Sequence, residues 1–267
     1  MRENAIKTIW NRGDCVLNGW LSLPDSFTAE IMANAGWDSI CIDTQHGLIG
    51  YETAVHMLQA ISTTSITPII RVVWNEPGTI MKWLDAGAYG IVCPMVNTRA
   101  DAERFVQACR YPPAGYRSSG PIRAAIYGGK DYREKANGTV LTFAMIETAE
   151  AISNLDEILT TPTLDAVYIG PNDLALSLAV SGGLVPSSPE VVKGIDTIFA
   201  ACKKHKIKAG IHCGSVDNAM DMKTKGFDFV TLMSDARLLT YGVETHIVAM
   251  KKRMAATAKQ DAVLVSR

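Results

Sequence analysis

Glu147 and Asp173 each follow an apolar run, in TFAMIET and AVYIGPNDLA. Apolar runs rich in β-branched residues read as buried strands, so both acids sit where a strand gives way to a helix. α/β folds keep their chemistry at that junction. A site offering only two carboxylates leaves most of a hard cation's coordination sphere to water and substrate. That suits Mg2+ or Mn2+, with Co2+ as a substitute, polarising an oxygenated ligand. On spacing alone the pair reads more readily as caps of the helices that follow, because Asp and Glu favour first helical turns.

Other ionisable groups end strand-like runs in the same way: Asp43 and His46 after the second, Arg71 late in the third, and His212 near the end of the seventh, with Trp20 on the first. Any one of these alone would serve structure as readily as function. Several brought to one end of one fold are harder to dismiss, because burying them together requires mutual pairing or a metal. An absence narrows the chemistry further. No lysine ends a predicted strand, so a Schiff base lacks its nucleophile, and no serine or cysteine sits in a nucleophile elbow. Metal-assisted activation of a carbonyl compound remains.

The elements that must position these groups are eight strand-like runs: Cys15–Leu23, Ser39–Thr44, Thr67–Val73, Gly90–Val96, Leu141–Glu147, Ala166–Gly170, Lys208–Gly214 and Phe227–Ser234. Between them lie stretches of helical periodicity such as YETAVHMLQAI, TAEAISNLDEIL and EVVKGIDTIFAACKKH. Gly36, Gly87 and Gly226 stand where helix C-termini favour a left-handed residue. Eight β-α units in this length predict a closed (β/α)8 TIM barrel spanning residues 1–267 as one domain, with an N-terminal and a C-terminal helix. The rival, an open doubly wound sheet, would usually show a glycine-rich phosphate turn after its first strand, and LSLPDSF has none. The stretch Tyr111–Asn137 is too long for a simple helix-to-strand link and is expected to have a function.

Composition excludes other classes. A net charge of −1 with no block of like charge gives no footing for nucleic acid or an anionic membrane, so the partner is expected to be small. The six cysteines are scattered, without a C-x-x-C pair, and read as reduced core residues. The N-terminal stretch lacks a signal-peptide core and no apolar run reaches membrane-spanning length. The expected location is the cytoplasm.

The segments WDSICIDTQHG, IIRVVWNEP, IVCPMVNTRADAE, RYPPAGYRSSG, AMIETAEAISNLDEIL and YIGPNDLALSLA resemble the metal-dependent (class II) pyruvate aldolases of the HpcH/HpaI type, and cover the chain from about Gly19 to Leu239. The resemblance implies a barrel of the pyruvate/phosphoenolpyruvate-binding kind, assembled as a homohexamer. It also implies an aldehyde-lyase that cleaves or forms 4-hydroxy-2-oxo acids, with a pyruvate enolate and an aldehyde as the two halves. Residue by residue, Glu147 and Asp173 match the metal ligands, Arg71 the arginine on the pyruvate carbonyl, and Asp43 with His46 the acid–base dyad. The amides of Asn172 and Asp173 match the positions that receive the substrate carboxylate. Asp85 matches an acid that reaches a neighbouring subunit's site. Gln45 and Met145 depart from the family's usual glutamate and glutamine, removing polar support around the metal.

Neighbouring readings are a CoA-ester lyase of the malyl or citryl type, an oxaloacetate decarboxylase, and a barrel that binds 2-oxo acids without catalysis. The first needs a basic patch for CoA phosphates, and no Lys/Arg cluster appears near the expected mouth. The last is expected to have lost part of the dyad or of the ligand pair. His212 replaces a residue often aliphatic in the family, and is expected to contact the aldehyde half, either by donating a hydrogen bond or by carrying charge near neutral pH. Its alternative is a ring tucked between strand and helix with both nitrogens on backbone.

Overall fold

The computed structural model describes residues 1–183 and 185–265; residues 266 and 267, the last of the expected domain, lie outside the described residues. Eight parallel strands close on themselves in chain order: β1 (Val16–Leu21), β2 (Ser39–Asp43), β3 (Thr67–Arg71), β4 (Gly90–Cys93), β5 (Leu141–Ile146), β6 (Ala166–Ile169), β7 (Lys208–Cys213) and β8 (Phe229–Leu232). β1 pairs with both β2 and β8, Asn18 lying level with Ser39 on one side and Thr231 on the other.

Strand alternation sorts the side chains into two layers. Trp20, Cys41, Ile69, Val92, Phe143, Met145, Tyr168 and Phe229 pack inside the barrel. Their neighbours Ile40, Ile42, Ile70, Ile91, Ala144, Ile146, Val167, Ile169 and Ile211 face the surrounding helices. Both faces are covered, which is why the strands read as nearly continuous apolar runs. Each fully buried Ile or Phe contributes about 1.5–3 kcal/mol.

The helix Ala5–Asn11 closes the N-terminal end of the barrel. Asn4 caps it by accepting from the Ile6 N–H, Ile6 and Trp10 enter the interior layer, and the Trp10 indole donates to the Asp228 carbonyl at 2.7 Å. The same floor holds a polar ring: the buried Arg110 donates to the Val140 and Thr163 carbonyls and to Asp165, the last at 2.7 Å. The Tyr111–Asn137 stretch also lies at this end. It carries two short helices, Ile122–Gly128 and Tyr132–Thr139, and buries Arg117 against Tyr132 and Asp85.

Gly36, Gly87 and Gly226 have φ of 96°, 105° and 103°, the left-handed caps expected of them. TAEAISNLDEIL is not one helix: it breaks at Asn154 into Ala149–Ser153 and Leu155–Leu159, and the Asn154 amide turns aside to the Asn97 carbonyl. The C-terminal helix, Asp235–Val265, begins where the Asp235 carboxylate accepts from the Ser22 and Leu23 amides, tying β8 to the end of β1. The six cysteines are free, and five of them are buried. No helix among the described residues is long and apolar enough to cross a membrane.

Candidate active site

The C-terminal ends of the strands surround a cavity of about 130 Å3, lined by His46, Arg71, Met145, Tyr168, Gly170, Pro171, Asn172, Asp173 and His212. A larger, open groove of about 440 Å3 follows the start of the C-terminal helix, past Met233, Arg237 and Tyr241, and does not include the paired carboxylates.

Glu147 leaves the end of β5 directly behind this cavity. It does not cap the next helix; Thr148 does that, accepting from the Ala151 N–H. Instead Glu147 Oε1 accepts from the Met95 N–H at 2.9 Å, while Oε2 is buried without a partner. Met95 donates because its backbone is left-handed, at φ 54°, a conformation that costs a non-glycine residue about 1 kcal/mol. Burial, reinforced by the charge of Asp173 and opposed by the Met95 N–H and Arg71, pushes the Glu147 carboxyl up to about 7. Gly170 makes room for it: a Cβ there would lie 2.5 Å from Oε2.

Asp173 stands in the first turn of the helix Pro171–Ser177, which opens at Gly170. Its carboxylate accepts no hydrogen bond among the described residues. The first backbone bond of this helix runs from the Leu174 N–H to the Gly170 carbonyl, which leaves the Asn172 and Asp173 amides without an intrahelical acceptor. Two neighbouring carboxylates with an orphaned, buried anionic oxygen fit a divalent cation: the missing partner is a positive charge, and no side chain among the described residues supplies it.

Asp43 ends β2 among donors. Arg71 Nε reaches Oδ1 at 2.9 Å and Arg71 Nη2 reaches Oδ2 at 2.5 Å, the Trp20 indole donates to Oδ2 at 3.2 Å, and the Gln45 and His46 amides bind Oδ1. Burial pushes the Asp43 carboxyl up, but the Arg71 guanidinium and the other donors outweigh it and hold it below the usual carboxylate range. The expected hold of Asp43 on His46 is therefore through the His46 backbone amide, and the exposed imidazole stands at the cavity rim. Trp20 lies behind the wall instead of on it. Arg71 stacks over its indole at 4.9 Å, and His212 meets it edge-on at 5.1 Å.

His212 faces the barrel interior, and its Nδ1 lies 3.1 Å from the Tyr168 hydroxyl. Burial, with Arg71 nearby, lowers it to about 4, so the ring is neutral near pH 7. Of the two roles expected for it, carrying charge near neutrality does not hold, and the tucked-away alternative does not either. Asp85 ends the helix Pro77–Asp85 at the opposite end of the barrel, where it accepts from Arg117 at 2.7 Å. Met95, Gly170 and Tyr168 were not anticipated. Tyr168 shares strand parity with Gly170, a signal hidden by the continuous apolar run AVYI.

The HpcH/HpaI aldolase/citrate lyase family matches this sequence over residues 18–241. The chain belongs to that family. HpcH/HpaI relatives include a hydroxypyruvate/pyruvate aldolase of Rhizorhabdus wittichii, 43% identical over 237 residues covering 89% of this chain and 94% of that one. A 4-hydroxy-2-oxo-heptane-1,7-dioate aldolase of Escherichia coli is 34% identical over 245 residues, 91% and 93% of the two chains. Among solved structures, an HpcH/HpaI aldolase/citrate lyase family protein from Burkholderia cenocepacia superposes with a TM-score of 0.86 at 29% identity, covering 92% of this chain and 98% of that one. The relatives named aldolases are carbon–carbon lyases.

Proposed function

We propose that the protein is a divalent-cation-dependent aldolase that makes or breaks the bond between a 2-oxo acid of the pyruvate class and an aldehyde, giving or consuming a 4-hydroxy-2-oxo acid. The observation that carries this reading is the unpartnered Oε2 of Glu147, set beside Asp173 and behind a cavity walled by Arg71 and His46. The Rhizorhabdus wittichii relative's name supports pyruvate or hydroxypyruvate as the 2-oxo acid.

A cation held by Glu147 and Asp173, Mg2+, Mn2+ or Co2+, would supply the charge that polarises the ketone of the 2-oxo acid. The Asn172 and Asp173 amides receive the substrate carboxylate. Arg71 commits Nε and Nη2 to Asp43, which fixes the guanidinium plane and leaves Nη1 for the ketone oxygen as negative charge grows there. His46, at the rim, takes and returns protons at C3 and at the aldehyde oxygen. Asp43 keeps both Arg71 and the His46 backbone in place.

The lining favours a small 2-oxo acid over a CoA ester, since Arg71 is its one permanently charged cation and the cavity is about 130 Å3. Oxaloacetate decarboxylation draws on the same groups and is the natural side activity. The chain is proposed to act as one domain within a cytoplasmic homo-oligomer, a hexamer by family resemblance, in which Asp85 and Arg117 serve a neighbouring subunit's mouth. The deciding experiment follows pyruvate release from 4-hydroxy-2-oxo acids and from oxaloacetate, and glyoxylate release from malyl-CoA, after chelation and with Mg2+, Mn2+ or Co2+ restored. Cation-dependent release from the aldols, faster than from the other two, is expected. Equal release after chelation would overturn the proposal.

A further inference from the structure

Three buried polar groups inside the barrel form a row beneath the cavity, apart from Thr67, which is held by Asn4 and the Ala5 amide. Asn18 on β1, Ser39 on β2 and Thr231 on β8 are fully buried. Ser39 Oγ donates to Asn18 Oδ1 at 2.8 Å, and Asn18 Nδ2 donates to Thr231 Oγ1 at 3.0 Å. Among the described residues the one hydrogen-bond partner of the buried Tyr168 hydroxyl is His212 Nδ1, at 3.1 Å.

Proton accounting gives this row a direction. A buried hydroxyl whose hydrogen finds no acceptor carries a desolvation penalty. Ser39 gives its proton to Asn18 Oδ1, so the Asn18 NH2 group must face Thr231. Thr231 is thereby an acceptor from Asn18. The Tyr168 hydroxyl is buried and has His212 Nδ1 as its one acceptor among the described residues, so its proton is placed only if Tyr168 donates there. Histidine Nδ1 is then the acceptor, and the ring proton resides on Nε2.

We propose that His212 is a neutral hydrogen-bond donor, locked by Tyr168 in its Nε2–H form, that selects a hydroxyl group on the carbon chain of the substrate. Nε2 has no partner among the described residues and is not sealed off, and His212 forms part of the cavity wall. An uncharged donor suits a neutral hydroxyl better than a second carboxylate, since Arg71, the one Arg or Lys in the cavity lining, is already bound to Asp43. The hydroxyl belongs either to a 3-hydroxy-2-oxo acid or to a hydroxyaldehyde. Tyr168 acts through His212 and is a positioning residue. The selectivity rests on the aldolase reading given above; the ring tautomer does not.

The two parts are therefore tested separately. In cation-free protein carrying 15N-labelled histidine, the resonance that disappears in His212→Leu identifies His212. At pH 7 it is expected to show the neutral Nε2–H pattern, and Tyr168→Phe is expected to convert it to a mixture of tautomers. An Nδ1–H pattern, or a protonated ring, overturns the lock. Selectivity is read as kcat/KM ratios in two pairs: hydroxypyruvate over pyruvate with one aldehyde, and glycolaldehyde over acetaldehyde with pyruvate. His212→Leu is expected to lower one of these ratios about tenfold, the discrimination a single neutral hydrogen bond supplies, and the affected pair identifies the half recognised. His212→Gln, which keeps a donor, is expected to recover part of the loss, and Tyr168→Phe to fall between His212→Leu and the parent. Both ratios unchanged in a folded His212→Leu overturns the selectivity. If no 2-oxo acid is turned over, the aldolase reading fails first, and hydroxypyruvate that binds without shifting the His212 Nε2 signal overturns this one as well.

Discussion

At the floor of the barrel, Asp165 accepts from Arg110, from the Thr142 amide and from the Thr142 hydroxyl, and Asp228 accepts from Lys208, Lys203 and the Ala209 amide. At the mouth, Glu147 has one oxygen on the Met95 amide and the other on nothing, and Asp173 accepts from none of the described residues. The unpartnered floor atoms include Nε of Arg110 and Arg117, in guanidinium groups that are otherwise bound, and the Tyr111 and Thr161 hydroxyls, but no carboxylate oxygen. Similar residues thus do different work at the two ends. Saturated carboxylates hold the closed end together, and the unsaturated pair at the open end holds a charge deficit that a ligand can fill.

The sharpest way to break this contrast is Glu147→Gln. It is expected to lower cation-dependent turnover by at least about a thousandfold and to abolish Mn2+ binding by calorimetry. It should also stabilise the cation-free protein. The Glu147 carboxyl titrates near 7 in the fold against an ordinary 4.5, so the folded chain keeps that proton longer than the unfolded chain does, and stability is lost as pH rises through 7. Removing the ionisation is expected to return up to about 3 kcal/mol at pH 8, read by urea unfolding in chelator. A variant that still gains thermal stability from Mn2+ would locate the cation elsewhere.

Next in size, Arg71→Lys keeps the charge but loses the fork that grips Asp43 through two nitrogens. A fall in kcat/KM of about a hundredfold is expected with Mn2+ affinity nearly retained; equal losses in both would make Arg71 a part of the cation site. At the floor, Asp165→Ala leaves the buried Arg110 guanidinium without its carboxylate. A destabilisation of about 3 kcal/mol in urea is expected with kcat per folded molecule preserved. An activity loss beyond the unfolded fraction would show that the ends are coupled.

The smallest expected effect concerns acid. His212 has a folded value of about 4 against an ordinary 6.5, so the unfolded chain binds this proton first and stability falls as pH drops from about 6.5 to 4. His212→Leu should flatten that part of the unfolding curve, and an unchanged slope would mean the ring is already protonated in the fold.

The eight strands and their order were legible because both layers of this barrel demand apolar side chains, so each strand stands out as an unbroken run. That same continuity hid which residues point inward, and with it Tyr168, Asn18 and Thr231. Strand ends were overrun where side chains or turns capture the backbone: Ser22 and Leu23 give their amides to Asp235, and the left-handed Met95 bends away past β4. The helix break at Asn154 depends on the Asn97 carbonyl, far away in sequence. The acids and Arg71 could be named from their places after strands. What the sequence lacked was partnership: it showed Asp43 near His46 but not that its carboxylate is occupied by Arg71 and Trp20.

Gly170 carries no functional group, yet a single methyl at that position would press against Glu147 Oε2 from 2.5 Å. The proposed cation site would therefore be silenced by a substitution that alters no charge, removes no ligand and deletes no donor. A homologue with alanine at this position would keep both carboxylates, Arg71 and His46, so any survey that judges competence from those side chains alone would count it among the active members.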